Sequence, residues 1–377
     1  MRLLTVFGTR PEAIKMAPVI RELARLDDVE SHVCSTGQHR EMLAPIVELF
    51  EIEVHHDLRV MRPGQGLNDL FARLLGTASD LLNTIRPDRV LVHGDTTTAA
   101  AVSLAAFHEN IPVAHVEAGL RTNRMDQPWP EEMNRRFVDL VADILFAPTE
   151  KAKENLVAEG FDSKRIVVTG NTVVDALLAV NAKIEADHAL RQRLDAAFSY
   201  LDGNRQLILV TGHRRENFGE GFQEICTALL EISKRPDVDI VYPVHLNPNV
   251  RAPVLSRLAG MERLHVIEPV GYLEFVYLMR RATLLLTDSG GIQEEAPSLG
   301  KPVLVMRNVT ERPEAVAAGT ACLVGAESER IVSSVNNYLD HPDKIEASRH
   351  AVNPYGDGRA AERIVAELCS TPIASSA

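Results

Sequence analysis

The stretch Thr287-Asp288-Ser289-Gly290-Gly291-Ile292-Gln293-Glu294-Glu295 decides how this chain folds. It follows an apolar run, 282–286, that reads as a buried strand, and it opens a helical stretch ending near Leu299-Gly300. Two adjacent glycines at such a junction let the backbone approach a ligand. Ser289 is a residue type that caps helices, and the free N–H groups of a helix start point outward with the positive end of the dipole. The stretch is therefore an anion site, most often for phosphate, or else an ordinary tight turn. Glu294 and Glu295 favour the first, because a carboxylate one turn into such a helix can accept hydrogen bonds from the ribose of a nucleotide whose phosphates sit on its N-terminus.

Outward from this stretch, strand-like runs at 206–211, 239–243, 265–267, 284–287 and 303–306 form a second alternating series that begins near 165–171. A first series has strand-like runs at 2–7, 31–35, 89–93, 112–116 and 144–147, separated by helical stretches such as 13–26, 67–85 and 97–108. Alternation of this kind predicts α/β architecture with parallel, doubly wound sheets, whose ligands bind at the carboxyl ends of the strands. The 377 residues fit two domains, 1–170 plus 358–377 and 171–357. The polar segment 183–197 reads as a surface helix near the boundary, and 358–369 as a terminal helix that returns to the first domain.

With 45% hydrophobic residues there is material for two cores, and no apolar run or leader pattern points to a membrane. The expectation is a soluble, cytoplasmic protein. A net charge of −12 argues against nucleic acid. Cys34, Cys226, Cys322 and Cys369 lack the spacing of a zinc site or redox pair, and His55-His56 lacks further ligands nearby, so no metal is expected.

An anionic ligand must then be met by local cations. Arg10, in the turn Gly8-Thr9-Arg10-Pro11-Glu12 after the first strand, and Lys15 one turn later would point toward the ligand crevice, or else are solvated surface charges, the ordinary reading for Lys15 taken alone. That turn has a single glycine, so the NAD fingerprint is absent. Asp95 follows the strand 89–93 and Glu117 follows 112–116; Asp95 could cap the next helix, whereas Glu117 has no such ordinary role. Glu131 stands in a helix first turn, where complementing the dipole is the ordinary reading. His213 precedes two arginines after the strand 206–211, and Arg312 lies in Thr310-Glu311-Arg312-Pro313-Glu314.

Together the motifs resemble one family, the bacterial non-hydrolysing UDP-N-acetylglucosamine 2-epimerases. The resemblance runs over nearly the whole chain, from Gly8-Thr9-Arg10-Pro11-Glu12 through His93-Gly94-Asp95-Thr96-Thr97, His115-Val116-Glu117-Ala118-Gly119 and Thr211-Gly212-His213-Arg214-Arg215 to Asn353-Pro354-Tyr355-Gly356-Asp357-Gly358. It implies two Rossmann-like domains facing a cleft, as in the B-type glycosyltransferases, and a homodimer. It also implies UDP-GlcNAc and UDP-ManNAc as ligands, without a cofactor. Ser289, Gly290 and Gly291 would meet the diphosphate, Glu295 the ribose, and Phe275 and the Val270 backbone the uracil, with Arg10, Lys15, His213 and Arg312 around the phosphates. Asp95, Glu117 and Glu131 would face the sugar. Activation by a second UDP-GlcNAc would involve Gln38, His39 and Gln65.

For that substrate the C2 proton is not next to a carbonyl, so direct deprotonation is too costly for a carboxylate. Elimination of UDP solves this by giving 2-acetamidoglucal, which is reprotonated at C2 on the other face before UDP adds back. A hydrolysing epimerase that releases free ManNAc, a UDP-sugar glycosyltransferase and a non-catalytic UDP-sugar sensor are the alternatives.

Overall fold

The computed structural model describes residues 1–37 and 40–371. Contacts divide the chain into two compact units, Met1–Ala176 with Tyr355–Ala377, and Leu177–Pro354. Each is built on its own parallel sheet. The first sheet holds β1 (Arg2–Phe7), β2 (Glu30–Ser35), β3 (His56–Asp57), β4 (Arg89–His93), β5 (Val113–Val116), β6 (Ile144–Ala147) and β7 (Ile166–Val168). The second holds β8 (Gln206–Thr211), β9 (Val238–Pro243), β10 (Leu264–Ile267), β11 (Leu284–Thr287), β12 (Val303–Val305) and β13 (Ala321–Leu323).

The strand orders are β3-β2-β1-β4-β5-β6-β7 and β10-β9-β8-β11-β12-β13. Both are doubly wound: the chain builds outward from its first strand, then crosses back and continues on the other side. The reversal leaves a crevice at the carboxyl ends of β1 and β4 in one sheet and of β8 and β11 in the other, where such sheets take ligands. Because helices cover both faces, the strands are buried on both sides and read as continuous apolar runs, as Leu284-Leu285-Leu286 does. In the first unit Leu4, Val6, Val90, Val92 and Leu145 pack with Leu82, Ala99 and Val102. In the second, Ile208, Val210, Ile240 and Leu286 pack with Phe222, Leu229, Val254 and Ile331. Each buried Leu, Ile or Phe side chain contributes roughly 1.5–3 kcal/mol.

The structure corrects three expectations. The run 165–171 does not begin the second series: β7 pairs in parallel with β6 and completes the first sheet. The segment 183–197 is not one surface helix. It falls across Thr172–Ala186 and His188–Ala197, divided at Asp187, whose carboxylate accepts from the Leu190 amide at 2.9 Å and caps the second helix. Val173, Val174, Leu177, Val180 and Ile184 of the first are buried. The first helix of the chain also begins earlier, at Arg10, as Arg10–Leu23 with Pro11 in its first turn. Among the described residues, no helix is long and apolar enough to cross a membrane.

Candidate active site

In the first unit the loops after β1, β4 and β5 are tied together by buried carboxylates. Gly8 has no room for a side chain, since a Cβ would stand 2.3 Å from Thr98 Oγ1 and 2.4 Å from Thr36 Oγ1. Glu12, buried, accepts from the amides of Gly8 at 3.1 Å and Thr9 at 2.7 Å and from Thr96 Oγ1 at 2.7 Å, which joins the β1 loop to the β4 loop. Burial raises its pKa above the ordinary carboxylate value, against the pull of the Thr9 and Thr96 hydrogen bonds. Arg10, the first residue of the helix that follows, has no acidic partner among the described residues.

Glu117, directly after β5, sits at φ 70, a left-handed backbone that costs a non-glycine residue roughly 1–3 kcal/mol. The turn presents its carboxylate to Lys15 Nζ in an ion pair and to Asn171 Nδ2 at 3.0 Å, with His93 Nε2 at 3.7 Å. Burial lowers the His93 pKa to about 3, more than the nearby Glu117 charge can restore, so its imidazole is neutral at ordinary pH. Asp95 does not cap the following helix. Thr96 does, its Oγ1 accepting from the Ala99 amide at 3.0 Å. The Asp95 carboxylate instead pairs with Arg135, whose Nε is 3.0 Å away. Glu131 opens the helix Glu131–Val141, and its Oε2 is buried with no hydrogen-bond partner among the described residues. Its neighbour Glu132 is fully buried and satisfied, accepting from the Thr122 and Asn123 amides at 3.0 and 3.2 Å and from Arg136.

In the second unit Ser289 precedes the helix Gly290–Glu295, which continues as a 3₁₀ turn, Ala296–Leu299. The Ser289 side chain makes no capping hydrogen bond, contrary to expectation. Gln293 Nε2 donates to the Ser289 carbonyl at 3.0 Å instead, and the Ser289 amide donates to Thr287 Oγ1 at 3.0 Å. A Cβ at Gly290 would lie 3.8 Å from Nη2 of both Arg214 and Arg312, so two guanidiniums stand over the start of the helix. Arg312 is paired with the buried Glu294, and Tyr272 donates its hydroxyl to Glu295 Oε1 at 2.7 Å.

Asp288, fully buried, holds the loop after β8 in place. It accepts from the His213 amide at 2.9 Å, the Arg214 amide at 2.9 Å and Asn217 Nδ2 at 3.3 Å. The His213 ring stacks on His245 with centroids 5.6 Å apart. Burial draws its pKa below the ordinary histidine value, Asp288 opposes this, and Arg214 and His245 add to the lowering. Val270 lies between β10 and the helix Tyr272–Arg281, which carries the half-buried Phe275. Gln38 and His39 lie outside the described residues. Gln65 stands on an exposed loop, where its Oε1 accepts from the Arg62 amide at 3.1 Å.

Sequence reasoning missed Arg135, Asn171 and Tyr272, and noted Arg214 only as one of two arginines after His213. Asn171 and Arg214 follow strand ends, a signal available in the sequence. Arg135 and Tyr272 are helical residues whose partners lie 40 and 23 positions away. Among the described residues, no group of three His, Cys, Asp or Glu side chains could hold a metal ion.

Two doubly wound sheets, one carrying carboxylates at its strand ends and the other guanidiniums above a glycine-rich helix start, define an α/β protein of the Rossmann-like class. A family model described as UDP-N-acetylglucosamine 2-epimerase matches residues 21–369. The chain is 54% identical to UDP-N-acetylglucosamine 2-epimerase of Escherichia coli K12 over 99% of this chain and 100% of the other. The crystal structure of UDP-GlcNAc 2-epimerase from Neisseria meningitidis bound to UDP-GlcNAc matches with a TM-score of 0.92 and 50% identity, covering 98% of this chain and all of that one. The Methanocaldococcus jannaschii enzyme in complex with UDP-GlcNAc and UDP matches at 0.82 and 35% identity, over 98% of this chain and 100% of the other. The chain belongs to the UDP-N-acetylglucosamine 2-epimerase family.

Proposed function

We propose that this chain interconverts UDP-GlcNAc and UDP-ManNAc by elimination and re-addition of UDP, with Asp95, Glu117, Glu131 and His213 as its catalytic residues. The observation that carries the proposal is the division of charge. Acceptor carboxylates are gathered on the first unit, while Arg214 and Arg312 flank Gly290 on the second.

The C1–O bond breaks with its electron pair passing to the β-phosphate oxygen of UDP. One carboxylate takes the C2 proton and the C1=C2 bond forms, giving 2-acetamidoglucal. A second acid returns a proton to the opposite face of C2, and the UDP oxygen adds back at C1. Glu131 Oε2 is buried with no hydrogen-bond partner among the described residues, which leaves an acceptor atom for a substrate proton, whereas the Glu117 carboxylate is held by Lys15 and Asn171. On the second unit Ser289, Gly290 and Gly291 receive the diphosphate with His213 and Arg312, Glu295 meets the ribose, and Phe275 and the Val270 backbone meet the uracil; Arg10 and Lys15 are the phosphate-binding cations proposed on the first. No step uses a cofactor. We assign the enzyme to the cytoplasm.

Proton NMR with UDP-GlcNAc in D₂O tests the reading. UDP-ManNAc with deuterium at C2 in both sugars is expected. Free ManNAc with UDP would transfer the chain to the hydrolysing enzymes, and a bound but undeuterated substrate would sink the carboxylate assignment.

Homodimer formation and activation by a second UDP-GlcNAc belong to the same proposal. Light scattering at twice the chain mass is expected. Sigmoidal dependence of the rate on UDP-GlcNAc is the mark of activation, and a hyperbolic curve with unaided turnover of UDP-ManNAc would remove it.

A further inference from the structure

We infer that His115 is a positioning residue that, with Asp139, staples the three elements carrying Asp95, Glu117 and Glu131 into one arrangement. The inference rests on the reading of those carboxylates as the catalytic groups.

His115 and Asp139 are both fully buried. His115 Nε2 lies 2.8 Å from the carbonyl oxygen of Gly94, and its Nδ1 lies 2.7 Å from Asp139 Oδ1. A carbonyl oxygen can only accept, so Nε2 carries a proton. The other oxygen of Asp139 is held by Arg121 Nη1 at 2.7 Å and by the Gly119 amide at 3.3 Å. Arg121 is itself anchored by Glu159. Both ring nitrogens are thus engaged, Nε2 by Gly94 and Nδ1 by Asp139, and the ring is locked between the two.

Each end of this chain of hydrogen bonds reaches a different carboxylate-bearing element. Gly94 adjoins Asp95 in the β4 loop. His115 lies on β5, two residues before Glu117, and Gly119 lies two residues after it. Asp139 lies on the helix that Glu131 opens. Gly94 and Glu117 both have left-handed backbone, at φ 64 and φ 70, so each turn needs fixed partners to hold its direction. A buried polar network with all members satisfied supplies that rigidity. The sequence singled out His115 only as part of a motif. The structure gives it no route to act on substrate itself, since both nitrogens are occupied.

The test compares His115→Phe, which keeps an aromatic ring and loses both nitrogens, with His115→Gln, which keeps a donor toward Gly94. Turnover of UDP-GlcNAc should fall on the order of tenfold to a hundredfold in the Phe variant, the scale of a small misplacement of reacting groups. The Gln variant should recover most of it. The dissociation constant for UDP by calorimetry should stay within about twofold in both, because UDP is read as held mainly by the second unit. Wild-type turnover in His115→Phe, equal loss in both variants, or UDP affinity falling in step with turnover overturns the inference. Should the Phe variant not fold, Asp139→Asn replaces it, with turnover expected to fall about tenfold at unchanged UDP affinity; unchanged turnover there overturns the inference equally. Asp95→Asn and Glu117→Gln in the same assay separate the two readings. If both keep wild-type turnover, the carboxylate reading fails and this one with it. If both lose turnover while His115→Phe keeps it, only the positioning role fails.

Discussion

A charged residue in this chain can be named from the sequence, but its electrostatic partner cannot. Lys15 and Glu117 stand 102 positions apart and Asp95 and Arg135 stand 40 apart, so only the folded loops reveal that each is paired. The same holds for Arg312, whose partner Glu294 is buried. Removing one member of a buried pair leaves the other uncompensated, and Arg312→Met should destabilise the second unit by about 3–5 kcal/mol in a urea titration, with loss of UDP affinity besides. A further network clamps the loop after β8 to the loop after β12. Arg307 donates to Glu216 at 2.5 Å and to Glu311 at 2.5 Å. Burial alone would raise the Glu311 pKa, yet the Arg307 hydrogen bonds outweigh it and bring the value down from 4.5 to about 2. A depressed carboxylate stabilises the fold above its unfolded value and loses that contribution as the pH falls toward the folded one. The stability difference between wild type and Glu311→Gln should therefore be full at pH 6 and fade between about pH 4.5 and 2, read by urea midpoints at each pH.

Among the elements, long segments with a clear period were legible: the helices Leu67–Ile85 and Thr97–His108 and the strands β4, β6, β8 and β11 have the bounds their patterns predict. Two of the shortest strands were not. β3 has two residues and β13 three, too few for any period to show. β7 was assigned to the wrong sheet because a strand's neighbour depends on pairing, which its own residues do not encode. The divided helix at Asp187 was lost for another reason, since a polar run compatible with helix conceals a cap inside it. Glycines show how tightly these elements close. Gly119 has φ 83, and a Cβ there would meet the Ala152 carbonyl oxygen at 2.4 Å. Gly119→Ala should cost the first unit at least about 2 kcal/mol from backbone strain and overpacking, measured as a lowered urea midpoint. Gly203→Ala, with nothing within 4 Å of the added carbon, is the control expected to change little.

Over the whole molecule the two units repeat one strand order, and each supplies its loops at the point where that order reverses. The alternation of strands and helices made this architecture readable, whereas the mutual support of the loops was not. The first unit is discontinuous, since the chain returns to it at Tyr355. There the Tyr355 carbonyl accepts from the Asn171 amide at 2.7 Å, the Ala361 amide donates to Asp175 at 2.8 Å, and the helix Ala360–Ser370 buries Ile364 and Leu368. Removing residues 355–377 should cost the first unit on the order of 5 kcal/mol, from two large side chains and several smaller ones. Hydrogen exchange should show that loss in β1, β4 and β5 while β8, β9 and β11 keep their protection. The same return path sets an order of events on the ribosome. The unit that is begun first is finished last, and its nascent core must wait for a helix translated only after every residue of the second unit has been made.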